Sequence, residues 1–214
     1  MWAFIPEPSV LVAYIGAAIV LGLTPGPDMT LFLSKTVSQG RKAGFAAFAG
    51  AATGLLVHTV LVAAGLSVLL AASAVAFTIL KVTGAAYLAY LAWDAIRHGS
   101  SLSLESGAAP AEPLRSVYAK GLLVNLLNPK IIIFFMTFLP QFVAPNEPHV
   151  PGKLIFLGLA FIAVNVPVCV ALILAGGRIA RLLKGSKRIT RVVDWLFAGV
   201  LGAFAVRLVL AHGR

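Results

Sequence analysis

Thr24-Pro25-Gly26-Pro27-Asp28 interrupts a long apolar run, and the fold follows from how that interruption is read. Proline removes a backbone donor and its ring clashes with the preceding turn, so two prolines around a glycine break a helix here. An aspartate follows the break at once. A second interruption, Asn125-Leu126-Leu127-Asn128-Pro129-Lys130, stands in another apolar run in the second half of the chain. Laying Pro27 on Pro129 sets Asp28 on Lys130, an acid against a base at equivalent positions.

The surrounding composition says what medium these breaks sit in. Of 214 residues 60% are hydrophobic and 11% charged, where soluble domains carry about 25% charged residues. The mean hydropathy is +0.97. So little polar surface excludes a water-soluble globule and predicts an integral membrane protein. With roughly 20 apolar residues per crossing, the length suits about six spans and no soluble domain. Lipid offers no partner to an open sheet edge, so the long apolar runs are read as helices. The predicted spans cover 10–35, 43–70, 75–96, 118–143, 154–175 and 192–210. The stretch 97–115, rich in Ser, Gly and Pro with two Glu, is the linker-like segment. The division is therefore a first three-helix repeat over 1–98, a linker over 99–115 and a second three-helix repeat over 116–214. The apolar N-terminal run has no Lys or Arg before Lys35, which disfavours a cleaved signal peptide. Cys169 is the single cysteine and is read as a small packing residue with no metal or redox motif.

The charges locate the loops. The net charge is +10, but its distribution argues against nucleic acid. Lys35, Arg41 and Lys42 follow the first span; Arg97, Arg115 and Lys120 follow the third. Arg178, Arg181, Lys184, Lys187, Arg188 and Arg191 follow the fifth. Only Lys153, Arg207 and Arg214 fall on the other side. By the positive-inside rule the three basic loops are cytoplasmic and both termini face outward.

Three spans per half is an odd number, so two similar halves insert in opposite senses. Inverted repeats with sites at interrupted helices near the midplane are characteristic of secondary transporters. Both breaks fall near the centre of a hydrocarbon core about 30 Å thick. The predicted fold class is thus an all-α membrane protein: six transmembrane helices as two inverted repeats, the first helix of each broken at proline (Pro25 and Pro27; Pro129). A broken helix frees carbonyls on its first half and amides on its second. Pro27 suits a first helical position, and Asp28 beside it sits at the positive end of a half-helix. Lys130 holds the same place in span four, where the helix end repels it; it needs an anion, either Asp28 or a substrate carboxylate. Carbonyls around Leu23 and Thr24 can receive an ammonium group, so an amino acid matches both half-sites. Thr24, Gly26, Asp28, Asn125, Asn128 and Lys130 are the expected substrate-binding residues, with Asp28 also the proton-coupling acid. Asn125 and Asn128 share a helix face and either bind substrate or bridge the broken backbone. The alternative is that Asp28 and Lys130 form only a buried pair locking the halves.

Other residues rank lower. His58 reads as a histidine bonded between helices or a proton shuttle, and Asn165 with Pro167 as a kink in span five or a substrate contact. Lys81 is expected to snorkel, Asp94 and Arg97 to pair locally, and Tyr87, Tyr90 and Trp93 to form an interfacial belt or to pack. Gly44, Gly50 and Gly54 allow close helix approach, within the bundle or between protomers of a homo-oligomer. No HExxH, GxSxG or paired-carboxylate motif stands in the spans. No enzyme activity, catalytic residue, cofactor or metal site is therefore assigned.

Three motifs in order, Thr24-Pro25-Gly26-Pro27, Lys81-Val82-Thr83-Gly84-Ala85-Ala86-Tyr87-Leu88 and Asn125-Leu126-Leu127-Asn128-Pro129-Lys130, resemble the LysE/RhtB family of bacterial amino-acid exporters. Length and basic loops agree across essentially the whole chain. The resemblance implies efflux of amino acids or related metabolites across the bacterial inner membrane, driven by the proton motive force. Protons, a small-molecule substrate and the lipid bilayer are then the partners. The scarcity of acids within the spans favours a neutral substrate. Metal-ion exporters occur in the wider superfamily and are one alternative; a non-transporting membrane subunit is another.

Overall fold

The computed structural model describes residues 5–23, 26–72, 74–98, 111–143, 149–176 and 178, and positions 191–192, 195–196, 198–199, 202–203 and 206. Thr24 and Pro25 lie outside the described residues. So do the side chains of Lys81, Tyr87 and Asp94 and most of the sixth predicted span, whose described positions are helical.

The described elements are all helical, and the prolines set their boundaries. α1 (Pro8–Leu23) and α2 (Pro27–Gln39) are the two halves of the first predicted span, bent by 51° at the break. Pro27 opens α2, where a missing N–H costs nothing because the first turn has no intrahelical acceptor. α2 stops at Gly40, whose φ of 88° needs a residue without Cβ and whose N–H caps Thr36 O at 3.1 Å. α3 (Arg41–Ala72) and α4 (Ala74–His98) follow, where the second and third spans are predicted. α5 (Leu114–Leu126) and α6 (Pro129–Ile133) are the halves of the fourth, and the 114–126 and 129–142 segments meet at 49°.

Beyond α6 the chain departs from the single α-helix expected to Val143. Phe134–Phe138 form a π-helical turn and Leu139–Phe142 a 3-10 turn. Pro140 supplies no amide to an α ladder, and the turns before and after it change pitch around that gap. Thr137 Oγ1 donates to Ile133 O at 2.8 Å and Gln141 Nε2 to Thr137 O at 3.0 Å. α7 (Val150–Leu174) runs through Pro167 as one helix. By length and composition, Arg41–Gly65 and Val150–Leu174 each suffice to cross a membrane, and so does each bent pair when it is taken as one span. Val60, Leu61 and Ile79 turn outward, as expected of helices that are apolar on every side.

Two apolar clusters flank a polar centre. The larger contains Tyr14, Phe134, Phe135, Phe138, Phe142, Leu154, Leu157 and Phe161. Its rings interlock, Phe134 lying 4.9 Å from Phe138 and 4.8 Å from Phe161. Tyr14 is fully buried, and its hydroxyl donates to Leu157 O at 2.6 Å, tying α1 to α7. The smaller cluster contains Phe32, Ala47, Ala51, Val117, Cys169 and Ile173.

Close backbone approach, rather than exclusion of water, holds helices together in lipid. At Gly50 a Cβ would collide with Tyr118 O, and at Gly121 with Ala47 O, so α3 and α5 pack through reciprocal glycines. A Cβ on Gly54 would meet Asn125. These glycines therefore serve contacts within the bundle. On α4, Tyr90 and Trp93 are about half exposed. Arg97 lies over the Trp93 ring at 4.7 Å.

Candidate functional site

The site forms where the two broken helices meet. Asn128 is the N-cap of α6: its Oδ1 accepts from Lys130 N at 3.0 Å, satisfying a first-turn amide. Its other face is turned to the first half of the chain. Nδ2 of Asn128 and Nδ2 of Asn125 both donate to Asp28 Oδ2, each at 3.0 Å. Asn125 and Asn128 are 1% and 2% exposed. Two amides from the second half thus hold the acid that opens α2. Asp28 Oδ1 is shut off from solvent and has no hydrogen-bond partner among the described residues.

Of the two anions expected for Lys130, Asp28 or a substrate carboxylate, Asp28 lines a cavity together with it. Lys130 Nζ reaches Leu21 O at 3.5 Å, on the last turn of α1, where carbonyls lack intrahelical amides and carry partial negative charge. The repulsion between Lys130 and the start of α6 is relieved there. Gly26 leaves room for the ammonium, since a Cβ would stand 3.1 Å from Nζ. Asp28 Oδ2 meanwhile is occupied by the two amides.

A cavity of about 60 Å³ lies at this junction. Asp28, Asn125, Lys130 and Asn165 give it polar groups from α2, α5, α6 and α7; Phe32, Phe161 and Cys169 are among its apolar walls. Asn128 steadies Asp28 from outside the lining, and Gly26 flanks Lys130.

His58 is 8% exposed, with Nε2 3.3 Å from Asn125 O. A carbonyl only accepts, so Nε2 carries the proton of this bond. His58 therefore ties α3 to α5 behind Asn125, the bonded-histidine reading. Asn165 Nδ2 donates to Phe161 O at 2.9 Å and to Ala18 O at 3.3 Å, joining α7 to α1. Its Oδ1 has no partner and packs on Gly22, where a Cβ would overlap it.

One residue carries a role that its linker position hid. Glu112, two residues before α5, accepts from Lys35 Nζ through Oε1 and from Lys120 Nζ through Oε2, each at 2.6 Å. Its N–H donates to Gln39 Oε1 at 3.2 Å, and Ser116 Oγ donates to Oε2 at 3.4 Å. Lys120 and then Lys35 hold the carboxyl far below the ordinary range, at about 2. The four-residue spacing Glu112, Ser116, Lys120 was the available signal, since it lines up one helix face. Arg41 Nη2 donates to Leu174 O at 2.9 Å. The Gly40 turn, the start of α5 and the end of α7 therefore lie at one end of the bundle.

Apolar helices, two breaks and a charged junction between them describe a multi-pass helical membrane protein, and the family that its sequence matches is one of transporters. The chain belongs to the LysE type translocator family, whose model matches residues 19–212. Relatives named homoserine/homoserine lactone efflux protein, in Salmonella typhi and in Salmonella typhimurium, are each 35% identical over 176 residues, 82% of this chain and 84% of theirs. An uncharacterized membrane protein of Vibrio cholerae is 32% identical over 183 residues, 86% of this chain and 88% of its own. No solved structure matches.

Proposed function

We propose that the chain is a secondary exporter of an amino acid or close derivative, a neutral one favoured, that exchanges its substrate for protons across the bacterial inner membrane. The observation that carries this reading is Asp28. An acid at a helix break, held through one oxygen by two amides of the opposite half, keeps its second oxygen unpartnered beside a cavity. That oxygen can take either a proton or a substrate ammonium, which is the competition an antiporter needs. Intramembrane ionisable groups are costly and so mark function by default. Lys130, lining the same cavity, receives the substrate carboxylate. The names of the Salmonella relatives agree with such a substrate.

Two inverted repeats account for the packing. Laid half on half through Pro27 and Pro129, α1 corresponds to α5, α2 to α6 and α3 to α7. The α3–α5 contact through His58 and Asn125 then has its counterpart in the α7–α1 contact through Asn165 and Ala18. The α2–α5 contact through Asp28 has its counterpart in the α6–α1 contact through Lys130. Recurrence of both pairings favours a pseudo-twofold axis through the site and alternating access by rocking of the halves.

The test is efflux from reconstituted vesicles under an imposed pH gradient, with homoserine as the first probe. Asp28→Asn keeps the size of the side chain but removes the titrating group. The expected result is loss of proton-driven efflux with folding intact. Undiminished gradient-dependent efflux would remove Asp28 from the mechanism.

A further inference from the structure

We infer that the α2–α5 contact is the cytoplasmic gate of the pathway and that Glu112 is its lock, an inference that rests on the transporter reading. Elsewhere in the bundle, helix pairs interlock through glycines. A Cβ would strike Tyr118 or Ala47 backbone between α3 and α5, Thr59 between α7 and α3, Thr36 between α3 and α2, and Asn165 between α1 and α7. Only the α3–α5 contact sets backbone on backbone, and it does not slide without repacking; the others set a glycine against a side chain. Among the described glycines none locks α2 to α5. That seam is joined by polar bonds at its two ends. At the site, Asp28 takes the amides of Asn125 and Asn128. At the far end, Glu112 takes Lys35 and donates to Gln39, both on α2.

The bonding of Glu112 suits a lock. Each carboxylate oxygen serves a different helix, Oε1 the Lys35 of α2 and Oε2 the Lys120 of α5. Release of Lys35 leaves Glu112 still anchored by Lys120 and Ser116 on its own side. The seam then has two discrete arrangements rather than a graded one, as a switching contact requires. Between its ends Phe32 of α2 meets Phe48 of α3 edge to face at 5.6 Å, and both rings line the cavity. When α2 leaves α5, Phe32 is carried with it and this wall parts. The cavity of about 60 Å³ is small beside the about 300–1,000 Å³ of ordinary ligand pockets, so it has to enlarge to admit a substrate.

Cys169, the one cysteine of the chain, lines the cavity and reports on its access. A membrane-impermeant maleimide is applied to the cytoplasmic face in inverted vesicles, and to the opposite face in right-side-out vesicles, without substrate. From the cytoplasmic face, Glu112→Gln and Lys35→Met are expected to raise the Cys169 labelling rate about fivefold or more. Lys120→Met, which spares the Lys35 bond, leaves the rate near that of the parent. Exchange of the charges, Lys35→Glu and Lys120→Glu with Glu112→Lys, restores protection, a rescue that general destabilisation would not give. Unchanged labelling in Glu112→Gln, or no protection by the exchanged pair, overturns the gate. Substrate protection of Cys169 in the parent is a separate comparison: it fails if the transport site is misplaced, whereas the substrate-free series fails only if the gate is.

Discussion

Asn128 faces two ways: its Oδ1 caps the amide of Lys130 at 3.0 Å, while its Nδ2 holds Asp28 Oδ2 at the same distance. One carboxamide caps the start of α6 and shares with Asn125 the hold on the acid of α2, so a single side chain links the helix break to the ionisable group.

That double duty can be separated. Asn128→Ala removes cap and clasp together and is predicted to cost about 1 kcal/mol in stability from the lost cap, along with transport. Asn128→Ser keeps an acceptor for the Lys130 amide but is too short to reach Asp28. Its thermal stability should exceed that of the alanine variant while efflux is still lost. Efflux at the parent rate in Asn128→Ser would mean that the Asn128 amide on Asp28 is dispensable.

Lys130 is expected to read the carboxylate of the substrate. Lys130→Met should weaken binding of a free amino acid about tenfold or more, the scale of a hydrogen bond to a charged group, and leave its methyl ester nearly unaffected. Calorimetry on the purified protein checks this. Equal losses for acid and ester would show that Lys130 acts on structure alone.

The reciprocal glycines of α3 and α5 make a stability prediction with an internal control. Gly121→Ala puts a methyl group into Ala47 backbone and should destabilise by about 1–3 kcal/mol as overpacking, although alanine is the better helix former. Gly16 has nothing within 4 Å of a built Cβ, so Gly16→Ala should be neutral or mildly stabilising. Thermal melts in detergent compare the two.

Glu112 predicts a pH profile. A carboxyl held at about 2, below the about 4.3 of an unfolded glutamate, stabilises the fold fully above the unfolded value. That contribution disappears as pH falls through the folded one. The Tm of the parent should therefore exceed that of Glu112→Gln by a constant margin above about pH 5, narrowing toward about pH 2. A margin that varied between about pH 6 and pH 8 would place the titrating group elsewhere. On this basis the Glu112 contact does not respond to physiological pH changes.

How far the chain could be read from its letters depended on whether a residue acts locally or across the fold. The breaks at Pro27 and Pro129 were legible because proline acts on its own helix, and the apolar runs gave α3, α4 and α7 with ends within a few residues. Asp28, Asn125 and Lys130 were legible as a group because charged and amide residues beside a helix break in lipid have few other uses. The partners were not. Opposite charge set Lys130 against Asp28 or a substrate carboxylate; that the acid also takes two amides and the ammonium reaches Leu21 O is visible only once the half-helices are placed. Glu112 escaped notice because its lysines lie on different elements, Lys35 far upstream on α2. The turn from α to π to 3-10 before Phe142 was equally hidden, since no residue type marks a π-helical turn by itself.

The crossed arrangement at the junction also governs what a fragment of this protein could be. The amides that steady the acid come from residues after 111, and the carbonyl that receives the base comes from α1. A chain severed in the middle and made as separate pieces would strand an acid in one and an ammonium in the other, each deprived in lipid of its counterpart. Neither piece is a smaller version of the whole, and each has reason to seek its mate.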